Sequence, residues 1–275
     1  MEFSPANSFN DKYLDKANTT AINGIFVILV VFSHYAQYAD LGGIYDKPYL
    51  IMREHLNQMV VATFMFYSGY GMMEAIKRKG ESYMGRLVTK FWKLLLKFDF
   101  AVILFILVST ILGIKYPLMH TLLAFTTWTA VGNSNWYITA ILLLYIILFI
   151  SFKIGFRIGK EGFGRSIGIL FAYLLTIACV WMQMKAGRPG YCYNTMILLP
   201  TGCLYSEIRQ SVDHWITKDD SRYCLVVMMT IGIYILSYFR RWKGGIECFT
   251  VWAVAFMLLV LLATMKIKIY NGFLE

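Results

Sequence analysis

The stretch AINGIFVILVVFSHYAQY, residues 21–38, indicates the class of fold of this chain of 275 residues. It contains no Asp, Glu, Lys or Arg, and about 20 mostly apolar residues are enough for a helix to cross the hydrocarbon core of a bilayer. Further apolar runs follow along the chain at 57–76, 94–114, 135–152, 166–184, 191–206, 223–239 and 246–265. The sequence therefore predicts an all-α fold, a polytopic bundle of transmembrane helices.

One more segment, LMHTLLAFTTWTAV at 118–131, is shorter and rich in threonine. Three interpretations fit it: a re-entrant piece, an interfacial piece or a short tilted helix. The prediction is therefore about 8 to 9 spans, and eight full spans is the preferred count.

The composition is typical of a membrane protein. Apolar residues make up 58% of the chain and charged residues 15%, whereas soluble domains have about 45–50% and about 25%. The net charge of +10 comes from Lys and Arg residues in short blocks between the apolar runs. This pattern argues against a soluble enzyme, a nucleic-acid-binding domain and a disordered chain, and we expect no nucleic-acid partner.

The strongest basic block predicts the orientation in the membrane. It reads AIKRKGESYMGRLVTKFWKLLLK at 75–97, and an excess of Lys and Arg is typical of cytoplasmic loops. The first helix then runs from the inside to the outside, so residues 1–20 form a cytoplasmic segment. If 118–131 does not cross, the basic block at 153–165 also lies inside. The basic cluster at 240–243 then lies outside, against the rule.

Residues 1–275 are predicted to form a single integral membrane domain, because no internal repeat or long polar linker divides them. The longest soluble stretch, about 205–222, is too short to fold alone. The five cysteines are scattered through apolar segments without a C-x-x-C motif, so we expect them to pack between helices. No metal site is predicted, and the motifs of nucleotide hydrolysis and of common hydrolases are missing.

His34 is the first candidate for chemistry, because ionisable side chains inside a membrane span are costly. Counted from Thr20, it is predicted about two-thirds across the first span, towards the outer side. Asn23 precedes it by 11 residues, close to three full turns, so both project from nearly the same face. An imidazole suits the deprotonation of a hydroxyl. The alternative is a histidine that is hydrogen-bonded between helices.

A second candidate is the sequence SGYG at 68–71, which interrupts a run of bulky residues in mid-membrane. Ser68 and Tyr70 can donate hydrogen bonds to a ligand. Glycines in this setting also allow helices to approach closely, so a packing seam is the alternative.

Two further candidates lie near the predicted membrane surfaces. Arg86 and Lys90 belong to the strongest basic block, which suits anionic lipid headgroups or the phosphates of a cytoplasmic acyl donor. Trp136 ends the tetrad NSNW at 133–136, at the start of a span, where an indole ordinarily serves as an interface anchor.

Together these motifs resemble the membrane acyltransferase 3 family, because they occur in the same order and at similar spacing. NGIFVILVVFSH at 23–34 is similar to the family's first helix, in which a basic residue precedes the essential histidine by 11 positions. FMFYSGYG at 64–71 resembles the second-helix signature, and NSNWYI at 133–138 resembles the tryptophan motif before a long apolar helix. A basic stretch with Arg86 lies between them. The resemblance covers most of residues 20–150.

The resemblance implies a membrane O-acyltransferase. Such an enzyme moves an acyl group, above all acetyl, from cytoplasmic acyl-coenzyme A to a hydroxyl of a cell-envelope glycan, exopolysaccharide or lipid-linked sugar. Acyl-coenzyme A (acetyl-CoA) is then a co-substrate, no cofactor is bound permanently, and the implied location is a bacterial cytoplasmic membrane. The residue that the resemblance makes catalytic is His34. The implied substrate- and donor-binding residues are Asn23, Ser68, Tyr70, Arg86, Lys90 and Trp136.

Two departures from the family pattern keep other functions open. The family usually has Arg or Lys where this chain has Asn23, and it usually continues for one or two more helices. An inactive, truncated family member is therefore one alternative. The other is a transporter or flippase for a lipid-linked sugar or small solute, because intramembrane polar residues and glycine-broken helices fit it as well.

Overall fold

The computed structural model describes residues 2–5, 8–36, 39–56, 58–241 and 243–268. It is 79% helical and nearly all-α, as predicted. The α-helices of the described residues are α1 (Lys16–Tyr35), α2 (Lys47–Leu56), α3 (Met59–Lys79), α4 (Tyr83–Ile111), α5 (Leu118–Ala124), α6 (Trp136–Ile158), α7 (Glu161–Lys185), α8 (Leu198–Ile216), α9 (Asp220–Arg240) and α10 (Gly245–Lys266). Short 3₁₀ helices occupy Ile44–Asp46, Gly80–Ser82 and Gly190–Cys192. Two short strands, β1 (Glu2–Phe3) and β2 (Ile267–Lys268), pair antiparallel.

Six helical segments of the described chain are long and apolar enough to cross a membrane. They are Lys16–Tyr35, Ile44–Ile111, Trp136–Ile158, Glu161–Lys185, Asp220–Arg240 and Gly245–Lys266. Many large apolar side chains on these helices are exposed, and large exposed apolar surfaces of this kind mark contact with a membrane or a partner. Such helices are typical of a membrane protein.

Helix α1 begins at Lys16, before the predicted span, because Asp15 caps it. The Asp15 carboxylate accepts a hydrogen bond from the backbone N–H of Asn18 at 2.8 Å, which satisfies one free donor of the first turn. His34 therefore lies in the last turn of α1, roughly 27 Å from Lys16 along the helix axis.

The threonine-rich segment does not form a spanning helix. Helix α5 has 7 residues, which rise only about 10 Å, and turns follow it. Ala124 and Val131 of this segment pack against Phe98 and Val102 of α4, and Ile138 of α6 packs on the same cluster. The segment therefore lies beside the second half of α4 and the first turns of α6.

Helix α8 lies further along the chain than the predicted span 191–206. The 3₁₀ turn at Gly190–Cys192 occupies the start of that span. The helix also includes Arg209 and Asp213, which were predicted to lie in a soluble stretch. Their side chains form an ion pair at 3.0 Å one turn apart, and this pairing supports the helix through a charged region.

The chain divides into two compact units, residues 1–71 with 201–275 and residues 72–200. We call them the first unit and the second unit. In the first unit, α9 and α10 pack antiparallel: the Tyr223 hydroxyl, near the start of α9, donates to the carbonyl of Leu262 at 2.7 Å. At the same ends of these helices, Lys266 pairs with Asp220 at 2.8 Å.

Helices α3 and α8 of the first unit meet at Gly202. A Cβ atom there would lie 2.1 Å from the carbonyl oxygen of Phe66 and 2.8 Å from the nitrogen of Tyr70, so this approach requires glycine. The Sγ of Cys203 donates to the carbonyl of Gly69 at 3.3 Å. Helix α8 therefore packs against α3 at the SGYG sequence through its own Gly202, whereas a Cβ on Gly71 would meet no atom within 4 Å.

The second unit is organised by the antiparallel hairpin of α6 and α7. A Cβ on Gly155 would lie 2.3 Å from the carbonyl oxygen of Gly164, and a Cβ on Gly168 would lie 2.6 Å from the Phe152 ring. These glycines let the two helices pack closely near the end of α6. The start of α6 and the end of α7 form the opposite end of the hairpin.

Candidate functional site

His34, the predicted catalytic residue, is exposed at the end of α1 in the first unit. Within the described residues, its imidazole makes no hydrogen bond, ion pair or ring contact. Tyr49 of α2 holds the backbone of this turn, because its hydroxyl donates to the carbonyl of Phe32 and accepts from the N–H of Ala36 at 3.2 Å. The imidazole is thus available to a ligand while the turn that carries it is anchored.

Asn23 lies on nearly the same face of α1 as His34, since the helix is continuous between them. Its side chain is half-buried, and its Oδ1 accepts no hydrogen bond from any described residue although it is buried. A buried acceptor without a partner costs about 1–3 kcal/mol. A ligand or an ordered water that donates to Asn23 would remove this cost.

Ser68 and Tyr70 lie on α3 in the first unit, and their environments differ. Ser68 is half-buried, whereas Tyr70 is buried and its hydroxyl accepts a hydrogen bond from Nη1 of Arg209 at 2.8 Å. The same guanidinium pairs with Asp213 and donates from Nη2 to the carbonyl of Asp11 at 2.9 Å. Tyr70 is therefore engaged by a residue that the sequence did not single out.

Asp213 also binds two phenols. The hydroxyls of Tyr13 and Tyr205 are 2.7 Å apart and lie 2.7 and 3.1 Å from Oδ1 of Asp213. Burial, followed by the proximity of Tyr205 and Asp213, raises the pKa of Tyr13 above its ordinary value, so its phenol stays protonated and donates. We call Tyr13, Tyr70, Tyr205, Arg209 and Asp213 the arginine cluster. It ties the amino-terminal segment to α3 and α8.

Arg86 and Lys90 lie one turn apart on α4 in the second unit, and both are exposed. Nζ of Lys90 donates to the hydroxyl of Tyr83 at 2.8 Å and lies 5.5 Å from the centre of its ring. Residues four apart share one face of a helix, so these cations can contact the same anionic group.

Trp136 is half-buried at the start of α6 and lines a cavity of about 480 Å³ in the second unit. Its ring meets that of Tyr191 edge to face, with centroids 5.8 Å apart. We call this space the aromatic–amide cavity. The residues of its lining that matter here are Asn133, Asn135, Trp136, Gln183, Arg188 and Tyr191.

Side-chain amides hold the turn that precedes α6. Nδ2 of Asn135 donates to the carbonyls of Thr127 and Thr129 at 2.8 and 3.0 Å, and Oδ1 of Asn133 accepts from the N–H of Val131 at 2.9 Å. Thr127 has a φ of 63°, a conformation that residues other than glycine rarely adopt. The two asparagines of the NSNW motif therefore stabilise an unusual turn beside the cavity.

A second cavity, of about 510 Å³, lies at the other end of the α6–α7 hairpin. Its charged lining residues are Lys77, Glu81, Lys160, Glu161 and Arg165. Lys77 is paired with Glu74 at 3.0 Å, whereas Lys160 is exposed and makes no ion pair within the described chain. We call this space the basic cavity.

No sequence motif indicated the arginine cluster or the far wall of the aromatic–amide cavity. Arg209 and Asp213 are four residues apart, a spacing that would have indicated an ion pair if their segment had been read as helical. Arg188 and Tyr191 belong to the sequence GRPGY at 187–191, which follows a long apolar run. GRPGY has the composition of an ordinary turn.

The predicted residues thus fall in both units. The first unit contains His34, Asn23, Ser68 and Tyr70, and the second contains Arg86, Lys90 and Trp136. No protein-family model, no curated protein and no solved structure matches this chain.

Proposed function

We propose that this chain is an integral membrane O-acyltransferase with eight spanning helices. It transfers an acyl group, above all acetyl, from cytoplasmic acyl-coenzyme A to a hydroxyl of a glycan or lipid-linked sugar at the outer side of a bacterial cytoplasmic membrane. The observation that carries the proposal is the presence of a polar cavity at each end of the α6–α7 hairpin.

The lengths of the helices support a count of eight spans. Eight helices of the described residues have 19 residues or more, enough to rise about 28 Å each. Seven of them, α1, α3, α4, α6, α7, α9 and α10, belong to the six apolar segments, since Ile44–Ile111 contains both α3 and α4. The eighth is α8, which lies outside those segments and whose Arg209 and Asp213 are paired with each other. The short α5 leaves α4 and α6 as antiparallel neighbours, which fits a segment 118–131 that stays on one side of the membrane.

The distribution of basic residues supports the orientation. Lys77, Lys160 and Arg165 all line the basic cavity, which belongs on the cytoplasmic side by the positive-inside rule. Arg240, Arg241 and Lys243 would lie outside, against this rule, and the structure supplies a reason for Arg241 alone. Its side chain is buried and pairs with Glu54, and its Cζ lies 3.5 Å from the centre of the Tyr238 ring. We therefore assign this residue to packing inside the protein and not to the charge bias that orients the chain in the membrane.

The two cavities suit the two substrates of an acyl transfer across a membrane. In this orientation the basic cavity opens to the cytoplasm, where Lys160 and, on α4, Arg86 and Lys90 would bind the phosphates of coenzyme A. The aromatic–amide cavity lies at the outer end, where an indole and amides suit a sugar. Helix α6 has 23 residues and a length of roughly 34 Å, about the thickness of a bilayer core.

His34 would supply the general base, because it lies at the outer end of α1 in this orientation and its imidazole is available. It removes the proton of the acceptor hydroxyl, the oxygen attacks the acyl carbonyl, and the carbon–sulfur bond breaks to release the coenzyme A thiolate. His34 then returns the proton to that thiolate or to water. Asn23, Ser68 and Tyr70 would shape the groove or stabilise the oxyanion.

The test that separates this proposal from a transporter is thermal stabilisation of the detergent-purified protein by acetyl-coenzyme A. A ligand at 100 times its Kd stabilises the folded state by about 2.7 kcal/mol. We expect stabilisation of the wild type and of His34→Ala, and a smaller effect for Arg86→Ala and Lys160→Ala. The control is Lys93→Ala, which removes an exposed lysine of α4 that has no part in the proposed donor site and should keep the wild-type effect. A well-folded protein that acetyl-coenzyme A does not stabilise would contradict the proposal and favour the transporter.

A further inference from the structure

The aromatic–amide cavity contains a charged residue that has no role in the acyl transfer proposed above. Among its lining residues, all of which the structure describes, Arg188 is the only charged one. The rest are aromatic, amide, hydroxyl, thiol or small apolar groups. Arg188 is exposed at this cavity, and a single cation without a carboxylate among the lining residues favours an anionic ligand over a neutral one.

The backbone at the end of α7 fixes the place of Arg188. Gly187 has a φ of +67°, which reverses the chain directly after the helix, and the N–H of Arg188 donates to the carbonyl of Gln183 at 3.0 Å. The guanidinium carbon lies 5.8 Å from the ring centre of Trp128. Within the described residues this side chain makes no ion pair, so its N–H donors are available to a ligand.

The other walls of the cavity suit a sugar ring. The rings of Trp136 and Tyr191 offer apolar faces to the C–H groups of a pyranose. Nε2 of Gln183 points to Sδ of Met196 at 3.2 Å, which leaves its Oε1 to accept from a hydroxyl. Nδ2 of Asn133, another lining residue, is buried and has no acceptor in the described part of the chain.

We infer that the aromatic–amide cavity binds an anionic sugar, a pyranose that carries a carboxylate, and that Arg188 determines this specificity. A planar guanidinium binds a carboxylate through two parallel N–H···O bonds, which a neutral hydroxymethyl group cannot accept in the same way. The volume of about 480 Å³ lies within the usual range of small-molecule sites. Naming this sugar as the acceptor rests on the proposed function, whereas its binding can be measured independently.

The test compares methyl β-D-glucuronide with methyl β-D-glucoside by calorimetric titration of the whole purified protein. The two ligands differ only in the group at C6. We expect a Kd about tenfold lower for the glucuronide, the effect of one charge-assisted hydrogen-bonded pair. Arg188→Gln should abolish the preference and Arg188→Lys should keep part of it. The control is Lys185→Gln, which removes a cation in the last turn of α7 that does not line the cavity, and it should keep the full preference.

Three results would overturn the inference. They are equal affinities for the two glycosides, a preference that survives Arg188→Gln, and tighter binding of glucose 6-phosphate than of the glucuronide, which would assign the site to a phosphate instead.

Acetyl transfer is measured separately, so that failure of the proposed function can be distinguished. If the glucuronide binds in a manner that depends on Arg188 but no acetyl transfer occurs, the proposed acyltransferase activity is refuted and the anionic-sugar site is supported. If neutral and acidic acceptors are acetylated equally, the acyltransferase activity is supported and the specificity for an anionic sugar is refuted.

Discussion

Arg209 donates a hydrogen bond from Nη1 to the hydroxyl of Tyr70 at 2.8 Å, which links α8 to α3. Tyr70 was predicted to contact substrate, and in the structure its buried hydroxyl accepts this hydrogen bond from a charged group of the protein. The arginine cluster is held together by hydrogen bonds among its members and by the ion pair of Arg209 with Asp213. Its energetic role should therefore be visible in the stability of the protein.

Arg209→Ala is expected to destabilise the protein by about 1.5–3 kcal/mol, because it leaves Asp213 without its ion-pair partner and removes two further hydrogen bonds. Chemical unfolding in detergent measures this loss. The matched control is Arg222→Ala, whose ion pair with Asp219 is more exposed and should be worth less than about 1 kcal/mol. Equal losses of unfolding free energy in the two variants would show that the arginine cluster stabilises the protein no more than an exposed ion pair does.

The raised pKa of Tyr13 predicts a loss of stability at high pH. Because the pKa of Tyr13 is higher in the folded state than in the unfolded state, its protonated phenol contributes to the free energy of unfolding. This contribution is fully present below the ordinary pKa of 10.0 and is lost as the pH rises above it. The melting temperature of the wild type should therefore fall more between about pH 8 and about pH 11 than that of Tyr13→Phe. Tyr45→Phe alters a phenol that is 94% exposed and should behave like the wild type. A drop in Tyr13→Phe as large as in the wild type would contradict this assignment.

Gly202→Ala is expected to cost about 1–3 kcal/mol, because the new methyl group would collide with the backbone of α3 at Phe66 and Tyr70. Gly232→Ala on α9 is the control. A Cβ there has no neighbour within 4 Å, and alanine favours a helix by up to about 1 kcal/mol. Thermal unfolding of the two variants should therefore move in opposite directions, and stabilisation by Gly202→Ala would refute the close contact of α3 and α8.

The apolar runs predicted the long helices well, because a run of some 20 apolar residues leaves few folded alternatives in a bilayer. The start of α1 was misplaced because Asp15 and Asn18 look like soluble loop until their capping bond is seen. Helix α8 was misplaced for a related reason. Arg209 and Asp213 are polar, and only their pairing shows that a helix can include both.

The candidate site was less predictable than the helices. Trp136 and its NSNW turn were identified from local sequence, and they do line a cavity. Arg188 and Tyr191 complete that cavity from more than fifty positions away, through the packing of α6 on α7, and neither residue has a local signal. Spacing along a single helix also could not show that Tyr70 is bound by Arg209, since that contact depends on how α3 meets α8.

The measurement that tests the central claim most directly is transfer of radiolabelled acetyl groups from acetyl-coenzyme A to envelope glycan in membranes that contain the protein. The wild type is compared with His34→Ala, and His214→Ala serves as the control because His214 is an exposed histidine of α8 outside the proposed machinery. We predict transfer by the wild type and the control, and a loss of about 10²–10⁴-fold in His34→Ala at equal expression. Transfer that is unchanged in His34→Ala would contradict the account.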